Sequence, residues 1–156
     1  MVSGREAQHG PADRPGPDDF RVATPIAVRF RDMDGMGHVN NAVFLTYFEV
    51  ARAHYWRTAL GEEEMTRLRT YVVARAEVDY RSPVTLSDDL VCHVRVASFG
   101  RHSFAMDYLM IEKKSGRIVA EGRTVQAMYD YQAGRSRPLD DTLKEAVRRF
   151  EARPGL

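Results

Sequence analysis

The chain reads as an α+β domain: five antiparallel strands curled around one long buried helix. Three observations predict this. Apolar residues recur at three- and four-residue steps over one long stretch, about 41–60. Alternation of period two marks one stretch before it and four after it. The four later stretches follow one another with no long helical segment between them, so only the helix at 41–60 can cover the apolar face of their sheet.

Residues 1–20 hold Pro11, Pro15 and Pro17 with few apolar groups, too few to offset the entropy of ordering, so a flexible tail is expected ahead of a single domain at 21–156. In "TPIAVRFRD", Ile26, Val28 and Phe30 alternate with Ala27, Arg29 and Arg31, the pattern of a half-buried strand. Phe44, Tyr47, Phe48, Ala51 and Tyr55 then form a broad helical stripe that Gly61 ends. On this helix Glu49 lies three residues before Arg52, and an ion pair between them is expected. From Tyr71 the period is two: Val72, Ala74, Ala76, Val78 and Tyr80 share a face, and Pro83 stops the strand. Leu90, Cys92, Val94 and Val96 face inward on the next strand, "SFAMDYLMIEK" makes another, and Gly116 in "KKSGR" bends the chain into "IVAEGRTVQAMYDY". "DDTLKEAVRRFE" closes the sequence as a short amphipathic helix, with acids early and arginines late as the helix dipole favours. The four later strands read as a meander. A sheet edge left open invites pairing with a second copy, so a homodimer or homotetramer is expected.

Composition narrows the function. With 44% apolar and 29% charged residues the chain is globular rather than disordered. A formal charge of +1 gives no electrostatic draw toward nucleic acid or an anionic membrane, so neither is expected as a partner. No apolar run approaches the ~18 residues of a membrane span, and the first residues lack the apolar core of a secretory signal. Cys92 is the single cysteine and cannot form an internal disulfide, which favours a cytoplasmic location. Cys92 and His93 have no second Cys or His within a few residues, so no metal site is expected there, nor a cofactor elsewhere.

The chemistry is concentrated in "RFRDMDGMGHVNN", residues 29–41. Gly35 and Gly37 permit positive φ and close approach to the backbone. Asn40 or Asn41 suits a helix N-cap, beyond which the first helical N–H groups point outward unpaired. Such an end stabilises a carbonyl oxygen that gains negative charge. Asp34 lies close enough for the bend to bring its carboxylate beside the same spot. A carboxylate next to an oxyanion-stabilising amide is the minimal equipment for transferring an acyl group to water. Arg31 and Asp32 continue the strand, where surface exposure accounts for them. A capped structural turn accounts for the glycines and asparagines but not for the whole cluster. A calcium loop fails because its twelfth position is Val43 instead of a bidentate Glu. A phosphatase nucleophile of the Asp-x-Asp-Gly-Thr type lacks its Thr and its buried parallel strand.

The stretch "VRFRDMDGMGHVNNAVFLTYFEVAR" resembles the opening of the hotdog-fold acyl-CoA thioesterases related to 4-hydroxybenzoyl-CoA thioesterase. The shared pattern is a strand, Asp-x-Asp, two residues, Gly-His-Val-Asn-Asn, and an aromatic helix with Glu-x-Ala-Arg. "VVARAEVDYRSPVTLSDDLVCHVRV" and "GRHSF" extend the likeness more weakly, over about 24–131 in all. The resemblance implies a sheet wrapped around a helix, hydrolysis of an acyl-CoA without metal or redox cofactor, and an active site at a dimer interface. It assigns Asp34 as nucleophile or general base and the Asn41 backbone N–H as the group that polarises the thioester carbonyl. His38 and Asn40 flank that point and count as substrate-binding candidates. Arg101, His102 and Ser103 are matched to the segment that meets the CoA phosphates. An acyl carrier protein thioesterase, or a hotdog module that binds acyl-CoA without cleaving it, fits the same residues.

Overall fold

The computed structural model describes residues 15–67 and 70–156, and the side chains of all of these except 64–67. The elements are β1 (Val22–Ile26), α1 (Val43–Arg67), β2 (Tyr71–Tyr80), β3 (Leu90–Phe99), β4 (Ser103–Glu112), β5 (Ile118–Asp130), a two-residue β6 (Arg135–Ser136) and α2 (Asp141–Glu151). The main strands form one antiparallel sheet in the order β1-β3-β4-β5-β2, with β6 joined to β5. This is the hotdog architecture, a curled sheet with α1 along its inner face. Only β3, β4 and β5 make a meander. β2 does not neighbour β3 as the sequence order suggests but crosses to the far edge beside β5.

The stripe on α1 is buried as its spacing requires: Phe44, Tyr47, Phe48, Ala51 and Tyr55 all lie in the core. Gly61 breaks the helix with φ 78° and ψ 171°, a conformation that a Cβ would strain. The inward rows of β3 (Leu90, Cys92, Val94, Val96) and β4 (Phe104, Met106, Tyr108, Met110) complete the core. α1 presses closest where Phe48 stacks on Tyr108, ring centroids 4.4 Å apart, over the bare backbone of Gly122. A Cβ at residue 122 would sit 2.6 Å from Phe48 Cζ and 3.1 Å from the Glu77 carbonyl oxygen. Gly122→Ala is therefore expected to cost about 2 kcal/mol and to lower the melting temperature by about 6 °C. An unchanged thermal melt would mean the ring gives way freely.

Four further expectations need correction. β1 ends at Ile26, so Phe30 does not continue its apolar face; residues Phe30–Asp32 form a 3-10 turn and Phe30 is 83% exposed. In β2 a bulge between Val73 and Arg75 shifts the alternation. Tyr71 and Val73 pair with the buried Met128 and Gln126, Val72 between them turns to the other face, and Ala74 is the unpaired residue of the bulge. Asp32 is not a surface residue but is buried. Arg52 does not pair with Glu49; it is buried, and its Nη1 donates to the Tyr108 hydroxyl at 3.2 Å, while Glu49 is exposed.

α2 starts with Asp140 as N-cap, whose Oδ1 accepts from the Thr142 N–H at 2.8 Å. Its far end is fastened by the buried Glu151, which accepts from the Tyr55 hydroxyl (2.7 Å) and the Val96 N–H (2.9 Å). Burial, then the neighbouring carboxylate, holds the Tyr55 hydroxyl protonated far above the usual phenol range. The tail expected over residues 1–20 falls largely outside the described residues. At its end Phe20 is buried against His93 and Arg95, so packing begins before β1.

Candidate active site

The bend between β1 and α1 is built on Asp32. Its Oδ2 accepts from the Arg29 N–H (2.9 Å), the Tyr47 hydroxyl (2.9 Å) and Arg29 Nε (3.4 Å), and its carbonyl accepts from the Asn40 N–H (2.9 Å). Burial pushes this carboxyl up, but the donated hydrogen bonds outweigh it and hold the group below its ordinary value. The buried carboxylate thus ties the start of the bend to α1, and the backbone carbonyl of the same residue holds its far end.

Beyond that neck, Met33 and Val39 form an antiparallel bridge and the Asp34 N–H donates to the His38 carbonyl at 2.7 Å. Asp34 Oδ1 accepts from the N–H groups of Met36 (2.8 Å) and His38 (3.2 Å). Gly37 takes φ 80°, which requires glycine; Gly35 does not adopt positive φ. With Oδ1 held by the loop, Asp34 Oδ2 has no hydrogen-bond partner among the described residues.

Asn40 supplies the cap: its Oδ1 accepts from the Ala42 N–H at 2.9 Å and its carbonyl from the Val43 N–H at 3.0 Å. Among the described residues the Asn41 N–H donates to none. Asp34 and Asn41 line one cleft of about 350 Å³, walled by Phe44, Tyr80, Pro83 and Val84. The Val39 N–H donates to the Val84 carbonyl at 2.8 Å, joining the Asp34 loop to that wall. Arg117 braces the wall from behind through the Pro83 carbonyl (2.7 Å), Ser82 Oγ (2.8 Å) and Asp88 Oδ1 (3.1 Å).

Asp34 and Asn41 therefore line the same cleft. His38 and Asn40 contribute through the loop backbone and the cap, and neither lines the cleft. Arg101, His102 and Ser103 sit at the β3–β4 turn. Ser103 pairs with Ala127, whereas the cleft end of β2 pairs Tyr80 with Ala120. Those rows are separated by seven residues of β5, about 23 Å at the usual rise of a strand. Within one chain the turn is far from Asp34. Sequence reading misses Tyr80 and Arg117. The alternation places Tyr80 on the inner face, but no local pattern says that its hydroxyl reaches the Asn41 carbonyl at 2.9 Å, 39 residues away in sequence.

A curled sheet around a helix, with a carboxylate and a free amide at the helix start, has the parts that acyl transfer needs. The sequence profile of the thioesterase-like superfamily matches residues 28–147, and the chain belongs to that superfamily. It is a thioester hydrolase of the hotdog type. A thioesterase from Thermus thermophilus, solved with coenzyme A and zinc, is 39% identical with a TM-score of 0.78; the match covers 88% of this chain and 99% of that one. The long-chain acyl-CoA thioesterase FadM of Escherichia coli K12 is 26% identical over 127 residues, 81% of this chain and 96% of its own. The uncharacterized protein YsmA of Bacillus subtilis 168 is 28% identical over 82% of this chain and 86% of its own. Among the described residues no three His, Cys, Asp or Glu side chains gather as a metal would need, and no helix is long and apolar enough to cross a membrane.

Proposed function

We propose that the protein is an acyl-CoA thioesterase that cleaves its substrate to a free acid and CoA, with Asp34 and the Asn41 amide as the reacting groups. The observation that carries this reading is their shared cleft: Asp34 and Asn41 line one space, and each keeps a group, a carboxylate oxygen and a peptide N–H, with no protein partner among the described residues. The thioester carbonyl oxygen takes the Asn41 N–H, helped by the positive end of α1. Asp34 then either attacks the carbonyl carbon, expelling the thiolate and leaving a mixed anhydride that water hydrolyses to the free acid, or takes a proton from a water molecule that attacks the carbon and expels the thiolate. In both routes the thiolate is protonated to CoA. The relatives named for coenzyme A and acyl-CoA support this substrate class.

The proposal includes a second copy. β2 is an open edge of ten residues. Antiparallel pairing of two such edges about a twofold axis sets the Tyr71 end of one beside the Tyr80 end of the other. The β3–β4 turn, remote from the cleft of its own chain, then approaches the cleft of its neighbour, where Arg101, His102 and Ser103 of the partner subunit would meet the CoA phosphates. Phe30 and Met36, 83% and 82% exposed on the Asp34 loop, would be covered by the same neighbour.

Acyl-CoAs of graded chain length, each assayed for released thiol, test the function. At least one should be hydrolysed at a rate proportional to enzyme. Release of no thiol from any of them, by protein that binds CoA, would instead define a binding module.

A further inference from the structure

We propose that Tyr80 is the positioning residue for the Asn41 amide, so that the edge strand β2 is part of the active site; the inference rests on the thioesterase reading above. The Asn41–Ala42 peptide is clamped on both sides. Its N–H is held by Asn40 Oδ1 at 2.9 Å and its carbonyl by the Tyr80 hydroxyl at 2.9 Å. The Tyr80 ring meets the Phe44 ring edge-on, centroids 5.2 Å apart at 81°. Residues 40–44, which carry the free N–H at the cleft, are thus joined to β2 by one hydrogen bond and one ring contact.

The hydroxyl has no other role in view. Tyr80 is the last residue of β2 and 49% exposed, so packing against Phe44 would be served equally by phenylalanine. The carbonyl that it holds fixes the ψ angle of Asn41, and with Asn40 as cap that sets where the Asn41 N–H points. A half-exposed hydrogen bond competes with water and adds only about 1 kcal/mol to folding. Oxyanion stabilisation is far more sensitive, because it depends on a donor aimed at one point and weakens steeply as the angle opens. Loss of the hydroxyl should therefore be felt in the chemical step well before it is felt in stability.

Tyr80→Phe keeps the ring on Phe44 and removes the O–H. Its kcat is expected to fall about tenfold, with KM within about twofold and the melting temperature within about 2 °C of the parent. Incorporating 3-fluorotyrosine at position 80, which retains the donor, should restore kcat. A Tyr80→Phe variant with parental kcat overturns the proposal, and so does a loss of kcat that tracks a matching loss of folded protein. If the parent hydrolyses acyl-CoA and Asp34→Asn does not, but Tyr80→Phe is unaffected, the Tyr80 role alone falls. A parent inert toward every acyl-CoA overturns the acyl-CoA reading and, with it, this inference.

Discussion

Asp34→Asn is expected to lower thioester turnover by at least about a thousandfold while the melting temperature moves by no more than about 2 °C. The substitution keeps the size of the side chain and an Oδ1 that still accepts from the Met36 and His38 N–H groups. The loop should therefore stay closed and the cleft keep its shape. What is lost is the charged second oxygen, since an amide neither attacks a thioester nor takes a proton from water. Thiol release and a thermal melt on the same purified sample separate the two effects. Turnover within about tenfold of the parent would remove Asp34 from the chemistry, because losing a nucleophile or base costs much more than that.

Two residues away, Asp32→Ala should do the opposite to the fold. Asp32 is 4% exposed and accepts three hydrogen bonds, from the Arg29 N–H, Arg29 Nε and the Tyr47 hydroxyl. Alanine leaves the Tyr47 hydroxyl buried without its acceptor, at a cost of about 3 kcal/mol, or about 10 °C in the melt. Activity should fall with it, because the lost carboxylate ties the start of the bend that carries Asp34 to Tyr47 of α1. The pH dependence gives a second readout. The folded pKa of Asp32 lies below its unfolded value of 3.8, so its stabilisation is complete above 3.8 and shrinks as pH falls through the folded pKa. The gap between parent and variant should be constant from about pH 5 to 8 by this route and narrow only below 3.8. A parent and variant with equal melts at pH 7 would show that the anchor is dispensable.

The contrast between these neighbours shows what the sequence does and does not reveal. Periodicity locates α1, because a helix enveloped by sheet must place Phe44, Tyr47, Phe48, Ala51 and Tyr55 on adjoining turns. Asp34 and Asn41 are legible because seven residues of bend join them, and a short chain cannot carry its ends far apart. Asp32 escapes such a reading because its partner Tyr47 is one helical stripe away, and alternation carries no information about which carboxylate turns inward. The bulge in β2 is invisible for the same reason: a one-residue insertion in a ladder follows from what β5 offers opposite it. Chain order, the default neighbour rule, sets β2 next to β3, and its crossing to β5 is a property of the closed sheet. Tyr80 and Arg117 reach the cleft wall only through tertiary contacts, with Asn41 and with the Ser82–Asp88 loop.

Phe44 is 3% exposed, a member of the core cluster, and also a wall of the cleft. On the proposed reading, in which this cleft takes the acyl group, substrate preference and thermal resistance share a side chain. Shaving Phe44 to admit a bulkier acyl group would hollow the interior at the same stroke. Lineages that shift toward larger substrates at this position should carry compensating bulk on the facing strands, and laboratory selections for such substrates should succeed sooner from a stabilised parent.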